Sequence, residues 1–118
     1  MKVKVSELTA PAPALDWAVA EANGTPIYRD GKTLSRTDID GVVYWQPTTD
    51  WAQGGPIIEK EKISLEIKDD GWWVASRQYN YSETKEYIQL DHSPLIAAMR
   101  CYVASKLGDE VEVPEELL

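Results

Sequence analysis

The sequence predicts an α+β fold, in which a mostly antiparallel β-sheet is packed by a long C-terminal helix and a shorter N-terminal helix. Two observations support this prediction. Short strand-like segments separated by turn residues fill the middle of the chain, and an apolar helical segment lies towards each end. The 118 residues contain no repeat and no evident linker, so we expect a single domain over residues 1–118.

The N-terminal part is predicted to contain short strands and one helix. Polar and apolar residues alternate from Lys2 to Val5, as in a strand, and prolines at 11 and 13 precede a helix that runs to about Ala22. Asn23-Gly24 is a typical helix end, and Asp30-Gly31 is a turn signal. We also expect a strand at 25–29, a polar loop at 34–40 and a strand at 42–45.

Residues 47–56 are predicted to be an irregular loop. Residues 48–50 can cap a short turn of helix near Trp51, and the sequence Gln-Gly-Gly-Pro at 53–56 should then break it. The following residues, 57–62, fit a helix and an extended segment equally well. The two adjacent glycines permit positive φ and a close approach of a ligand or another chain to the backbone.

Three strands are predicted next, at 63–67, 72–78 and 84–90. The first has apolar residues at every second position, and Asp69-Asp70-Gly71 is a hairpin turn before the return strand. Because neighbouring residues of a strand point to opposite faces, one of Trp72 and Trp73 should lie in the core and the other at the surface or an interface.

The C-terminal helix has clear boundaries. Ser93 is suited to cap it, Pro94 to occupy its first position and Gly108 to end it. Its apolar face is opposed by small residues, so we expect burial all round, against the first helix or against a second copy across a dimer axis. Arg100, the long polar residue in its middle, reaches solvent, pairs with an acid or contacts a bound anion. An acidic tail is expected at about 109–118.

Composition excludes several functions. The formal net charge of −8 argues against nucleic-acid binding, and no apolar run is long enough to span a membrane. One cysteine and no signal-like N-terminus indicate a reducing cytosol. One histidine with one cysteine cannot form a common zinc site, and the adjacent Asp91-His92-Ser93 cannot form a catalytic relay. We therefore predict no catalytic residues, no metal and no cofactor.

The best candidate site is the glycine-rich loop. It combines an acid, an aromatic side chain, an amide and accessible backbone in Asp50, Trp51, Gln53, Gly54 and Gly55. The alternative is a structural loop whose tryptophan fills the edge of the core. The prediction also includes Arg100 as a possible anion ligand, and it adds Trp73 and Tyr79 as part of a neighbouring aromatic surface.

Four segments carry a resemblance to a known family. These are Ser-Glu-Leu-Thr at 6–9, Leu-Asp-Trp-Ala-Val-Ala at 15–20, Asp-Trp-Ala-Gln-Gly-Gly-Pro-Ile-Ile-Glu at 50–59, and the stretch from Pro94 to Leu117. They closely resemble the NinX family, small proteins of lambdoid phages without an established biochemical activity. The resemblance implies expression in the cytoplasm of a bacterial host, and it transfers no functional residue.

Three functions from different classes fit these observations. The first is a non-enzymatic binding protein that acts on a host protein, since small size, acidic charge and exposed aromatic residues suit an inhibitor or adaptor. The second is an oligomeric sponge that sequesters a nucleotide-like small molecule of host defence, with aromatic residues stacking a base and Arg100 holding phosphate. The third is a small enzyme. We also predict a homo-oligomer.

Overall fold

The structure is a computed structural model that describes residues 1–10, 13–78 and 86–118. It confirms the predicted α+β class, with antiparallel strands and a long C-terminal helix packed on them. The helices are α1 (Ala14–Asn23), α2 (Trp51–Glu61) and α3 (Pro94–Leu107). The strands are β1 (Lys2–Lys4), β2 (Tyr28–Asp30), β3 (Thr33–Asp38), β4 (Gly41–Tyr44), β5 (Ser64–Ile67), β6 (Trp73–Gln78), β7 (Glu86–Asp91) and β8 (Glu110–Glu112).

The described strands form three small antiparallel sheets instead of one larger sheet. β1 pairs with β8, β2–β3–β4 form a meander, and β5–β6–β7 form a second meander. Helix α2 lies between the two meanders along the chain. The predicted antiparallel pairing is therefore observed, divided among three sheets.

Helix α3 is the centre of the core. Every residue from Leu95 to Ser105 is buried, and the helix contacts β6, β7, α1 and α2. The predicted burial all round is therefore confirmed, and it is achieved within one chain. Because this stretch has no exposed side left, it cannot supply the dimer contact that its small residues suggested.

The ends of α3 are those that the sequence predicted. Ser93 Oγ accepts a hydrogen bond from the backbone N–H of Ile96 (3.2 Å), Pro94 is the first helical residue, and Gly108 ends the helix. Helix α1 likewise ends at Gly24, whose φ of 69° is unfavourable for other residues.

The predicted loop at 51–56 is wrong, because these residues begin the continuous helix α2. Asp50 caps it by accepting from the N–H of Ala52 (2.9 Å), and Pro56 is its sixth residue. Gly54 permits close packing, since a Cβ there would overlap the carbonyl oxygen of Pro47 and the side chain of Leu95. Burial of Ile57 and this contact with α3 outweigh the cost of proline, roughly 3 kcal/mol inside a helix.

The predicted polar loop at 34–40 is also wrong, because residues 33–38 form β3, the central strand of its meander. Leu34 is buried, and β3 is paired on both sides, so cross-strand contacts overcome its polar composition. The predicted turn at Asp30-Gly31 joins β2 to β3, as expected.

Residues 109–118 are folded, in contrast to the solvated tail that their charge suggested. They form β8 and a single turn of 3-10 helix, and they bury Val111, Val113 and Leu117. The amino group of Met1 donates to Glu112 Oε1 (2.8 Å), and this hydrogen bond and its charge lower the pKa of Glu112. Among the described residues, no helix is both long and apolar enough for a membrane span.

Candidate functional site

Two of the predicted site residues, Asp50 and Gln53, line one surface groove at the start of α2. The groove has a volume of about 540 Å³ and runs along β4, where its other walls are Val42, Val43, Tyr44 and Gln46. The first turn of α2 and the edge of a small sheet thus form one continuous surface.

The side chain of Gln53 holds α2 against β4. Its Oε1 accepts from the backbone N–H of Gln46 (2.8 Å), and its Nε2 donates to the carbonyl oxygen of Tyr44 (2.6 Å). Both ends of the amide are therefore engaged within the chain, and the residue positions the groove. Asp50 similarly uses Oδ1 as the cap of α2.

Trp51 and the two glycines have different environments. The Trp51 side chain is 53 % exposed, so it does not fill the edge of the core, which was the structural alternative. Gly54 is buried against α3, and Gly55 faces the Trp51 ring. The close approach that the glycines were expected to permit is made by the chain's own residues, at Gly54.

The outer face of the β2–β3–β4 meander adjoins this groove. Cross-strand register places Tyr28, Ser35 and Tyr44 in one row on this face, with Val42 in the next row. The side chains of Tyr28, Val42 and Tyr44 are between 65 % and 73 % exposed, and Ile39 at the tip of the β3–β4 hairpin is 98 % exposed. We call Tyr28, Val42, Tyr44 and Ile39 the tyrosine face.

Acidic residues surround the tyrosine face. Asp30 ends β2, and Asp38 and Asp40 flank Ile39, where Asp38 Oδ1 accepts from the N–H of Asp40 (2.8 Å). Asp50 lies across the groove from β4. The surface is consequently apolar and aromatic at its centre and negatively charged at its rim.

Sequence reasoning missed the tyrosine face because it missed β3. Strands were expected near Tyr28 and Tyr44, but the residues between them were assigned to a loop. Without β3 the two tyrosines have no common sheet. The signal that could have revealed it is the pair of turns, Asp30-Gly31 and Asp40-Gly41, which are spaced as the ends of one strand.

Arg100 lies in the core and not in the groove. Its Nε donates to the carbonyl oxygen of Leu8 (2.6 Å), and its Nη1 donates to that of Leu90 (2.7 Å) and to Asp91 Oδ1 (3.0 Å). Its side chain is 8 % exposed, so the expected route to solvent is wrong and the alternative of an acid partner is correct.

Arg77 makes a second internal ion pair. Its Nη2 donates to Glu61 Oε2 (2.6 Å) and its Nη1 to Ser105 Oγ (2.8 Å), which joins β6 to the end of α2 and to α3. Both charged side chains are largely buried. This pair connects elements of the fold.

Trp73 is the first residue of β6 and Trp72 directly precedes it, and the two side chains have different environments, as predicted. Trp73 packs against the core, whereas the outward residue is Trp72, whose ring lies 4.0 Å from that of His92. Trp73 therefore does not contribute to an exposed aromatic surface. Tyr79, the remaining predicted site residue, lies outside the described residues.

The single cysteine, Cys101, is buried in helix α3. Burial raises the pKa of the Cys101 thiol to about 12, in spite of the positive charge of Arg77 nearby. Among the described residues no cluster of three histidine, cysteine, aspartate or glutamate side chains could hold a metal ion.

Comparison with known families gives a match over most of the chain. The family model described as "Bacteriophage P22, NinX" matches residues 4–106, which is most of the chain. A search of curated protein sequences finds no match. The matched range includes α1, α2, the tyrosine face and all but the last residue of α3.

Proposed function

Because the chain belongs to the NinX family of bacteriophage P22, we propose that it is a phage accessory protein that binds a host protein in the bacterial cytoplasm without catalysing a reaction. The observation that carries this proposal is the tyrosine face. It gathers two tyrosines, a valine and an isoleucine on the solvent side of one small sheet.

The residue types of this face are those that contribute most to protein–protein binding. Tyrosine offers a large contact area with few rotatable bonds, and it is enriched among interface residues whose truncation costs roughly 2 kcal/mol or more. Ile39 projects from a hairpin tip and is suited to enter a pocket of the partner. The paired strands beneath the tyrosines hold them in place, so little ordering is needed on binding.

The edge of β4 adds polar contacts to the same surface. The N–H of Trp45 donates to the carbonyl oxygen of Leu34 (2.9 Å), so these two residues are a hydrogen-bonded pair. In antiparallel strands hydrogen-bonded and non-hydrogen-bonded pairs alternate, and this contact therefore sets the pattern along β3 and β4. In this register the N–H groups of Val42 and Tyr44 point away from β3 and into the groove. An extended segment of the partner can pair with them.

Charge indicates which kind of partner fits. The acidic rim formed by Asp30, Asp38, Asp40 and Asp50 favours a partner whose apolar patch is bordered by lysine or arginine, and it disfavours acidic surfaces. The net charge of −8 should also speed the encounter with such a basic patch.

The test is capture of partners from a lysate of the bacterial host. We expect one host protein to be retained by the wild-type chain and lost when Tyr28→Ala and Tyr44→Ala are combined. The matched control combines Ile67→Ala and Leu107→Ala, which truncate exposed apolar side chains away from the tyrosine face. Trp51→Ala tests whether the contact extends to α2.

Two results would count against the proposal. One is the absence of any specific host protein with the wild-type chain. The other is a partner that remains bound to the double tyrosine variant while the control behaves identically, since the contact would then lie elsewhere. Circular dichroism of each variant verifies that the fold is intact.

A further inference from the structure

A second groove has the opposite electrostatic character to the rest of the molecule. It has a volume of about 270 Å³, lies between α2 and the inner side of β3, and is lined by Arg36 and Lys60 with Asn23, Thr25, Trp45 and Gln53 among its other residues. No carboxylate lines it, although the chain has 20 acidic residues. Three other grooves between described residues each include a carboxylate. We call this one the cationic groove.

Arg36 has no acid partner among the described residues. Its guanidinium lies over the ring of Trp45, 5.6 Å from the ring centroid, and its Nε is buried without a hydrogen-bond acceptor. A buried donor left without a partner is energetically unfavourable, so an acceptor supplied by a ligand would stabilise it. Arginine in this chain is otherwise used differently, since Arg77 and Arg100 each pair with a carboxylate.

The remaining walls also offer hydrogen-bond donors. Lys60 lies in the last turn of α2 and makes no ion pair with a described residue. Thr25 Oγ1 accepts from Asn23 Nδ2 (2.7 Å), so its hydroxyl hydrogen can donate into the groove. Asn23 is held in turn by the hydroxyl group of Tyr102, which donates to its Oδ1 (3.2 Å). Two cationic side chains and a hydroxyl group thus line the groove, and no carboxylate does.

We propose that the cationic groove binds the phosphate group of a small molecule. The guanidinium of an arginine and the ammonium group of a lysine together match the two negative charges of a phosphate monoester. A carboxylate carries one negative charge, so it would neutralise only one of these two cations. The site lies within one chain, and it does not involve Arg100. It is independent of the tyrosine face, so either proposal can fail without the other.

The experiment is a titration of the full chain with inorganic phosphate, followed by ¹H–¹⁵N NMR at constant ionic strength. We expect saturable shifts of the Arg36 Nε–H and Trp45 indole N–H signals. Arg36→Gln should weaken phosphate binding at least tenfold, and Lys60→Gln should weaken it less, because it removes charge without removing the fork. Arg29→Gln is the control, since Arg29 is an arginine elsewhere on the surface, 3.6 Å from Glu116.

The proposal is overturned if phosphate shifts neither reporter signal, or if Arg36→Gln binds phosphate as well as the wild type does. It is also overturned if acetate at the same concentration produces the same saturable shifts, because a phosphate site should prefer the dianion. Should Arg36→Gln fail to fold, Arg36→Lys retains the charge and loses the fork. That variant should still show weaker phosphate binding than the wild type.

Discussion

The guanidinium of Arg100 and the carboxylate of Asp91 lie 3.0 Å apart, and the other oxygen of the same carboxylate accepts from the N–H of Ser93 (2.8 Å). Ser93 is the residue that caps α3. Asp91 therefore ties the middle of the central helix to its own first turn and to the end of β7. Arg100 is an internal connector between these elements.

Arg100→Ala should lower the free energy of unfolding by about 3–5 kcal/mol, because it leaves the carboxylate of Asp91 and the carbonyl oxygens of Leu8 and Leu90 without their donor. Urea denaturation monitored by tryptophan fluorescence measures this. Arg29→Ala, which removes a surface ion pair to Glu116, should change stability by less than about 1 kcal/mol. Equal small losses in both variants would contradict the structural role of Arg100.

Stability should depend on pH through Asp16. Burial raises the pKa of this carboxyl from 3.8 to about 6, although Thr48 donates to it from both its N–H and its hydroxyl group. Between these two pH values only the folded state holds the proton, so the free energy of unfolding falls as pH rises from about 4 to about 6. The loss approaches about 3 kcal/mol at neutral pH.

The control for this effect is Asp16→Asn, which keeps an acceptor for Thr48 and cannot titrate. Chemical denaturation at several pH values should show the contribution as the difference between the two proteins. The Asp16→Asn variant should gain stability relative to the wild type as pH rises from 4 to 7. A constant difference across this range would mean that Asp16 keeps an ordinary pKa.

Gly54 and Gly55 provide a matched pair. Gly54→Ala should destabilise the protein by about 1–3 kcal/mol, since the added Cβ overlaps Pro47 and Leu95 in a closely packed contact. Gly55→Ala has room beside the Trp51 ring and should be neutral or stabilising by up to about 1 kcal/mol, because alanine favours the helix. Thermal unfolding of the two variants measures both effects, and a similar response to the two substitutions would refute this account of α2.

The homo-oligomer expected from the sequence has a candidate surface on the β5–β6–β7 meander. One face of this sheet packs on α3, and Ala75 is buried there. The other face exposes Ile88 and Leu90 of β7. We predict a dimer or larger assembly by light scattering at micromolar concentration, reduced to a monomer when Ile88→Ser and Leu90→Ser are combined. A monomeric wild-type chain would refute the prediction.

The elements that the sequence predicted well are those with local signals. Helix α3 has Ser93, Pro94 and Gly108 at its ends, and each of these residues affects only the helical turn next to it. Helix α2 has a local signal at its start, where Asp50 caps it, but its glycines and proline disfavour a helix beyond that point. Its continuation depends on burial of Ile57 and on the contact of Gly54 with Leu95, far along the chain. Local propensity was overridden by tertiary packing.

The candidate site was predicted less well for the same reason. Asp50, Gln53 and Trp51 were found because they are neighbours in sequence. Tyr28 and Tyr44 become neighbours only through the register of β3. The partner of Arg100 likewise depends on where β7 ends relative to α3, which no local pattern of residues specifies.

The pairing of β1 with β8 joins the two strands of the described fold that are synthesised furthest apart in time. Lys2 lies opposite Glu112, so the first strand has no partner until the last one has been synthesised. At bacterial elongation rates this takes on the order of ten seconds. During that interval Lys2, Val3 and Lys4 lack the strand that pairs with them in the folded protein.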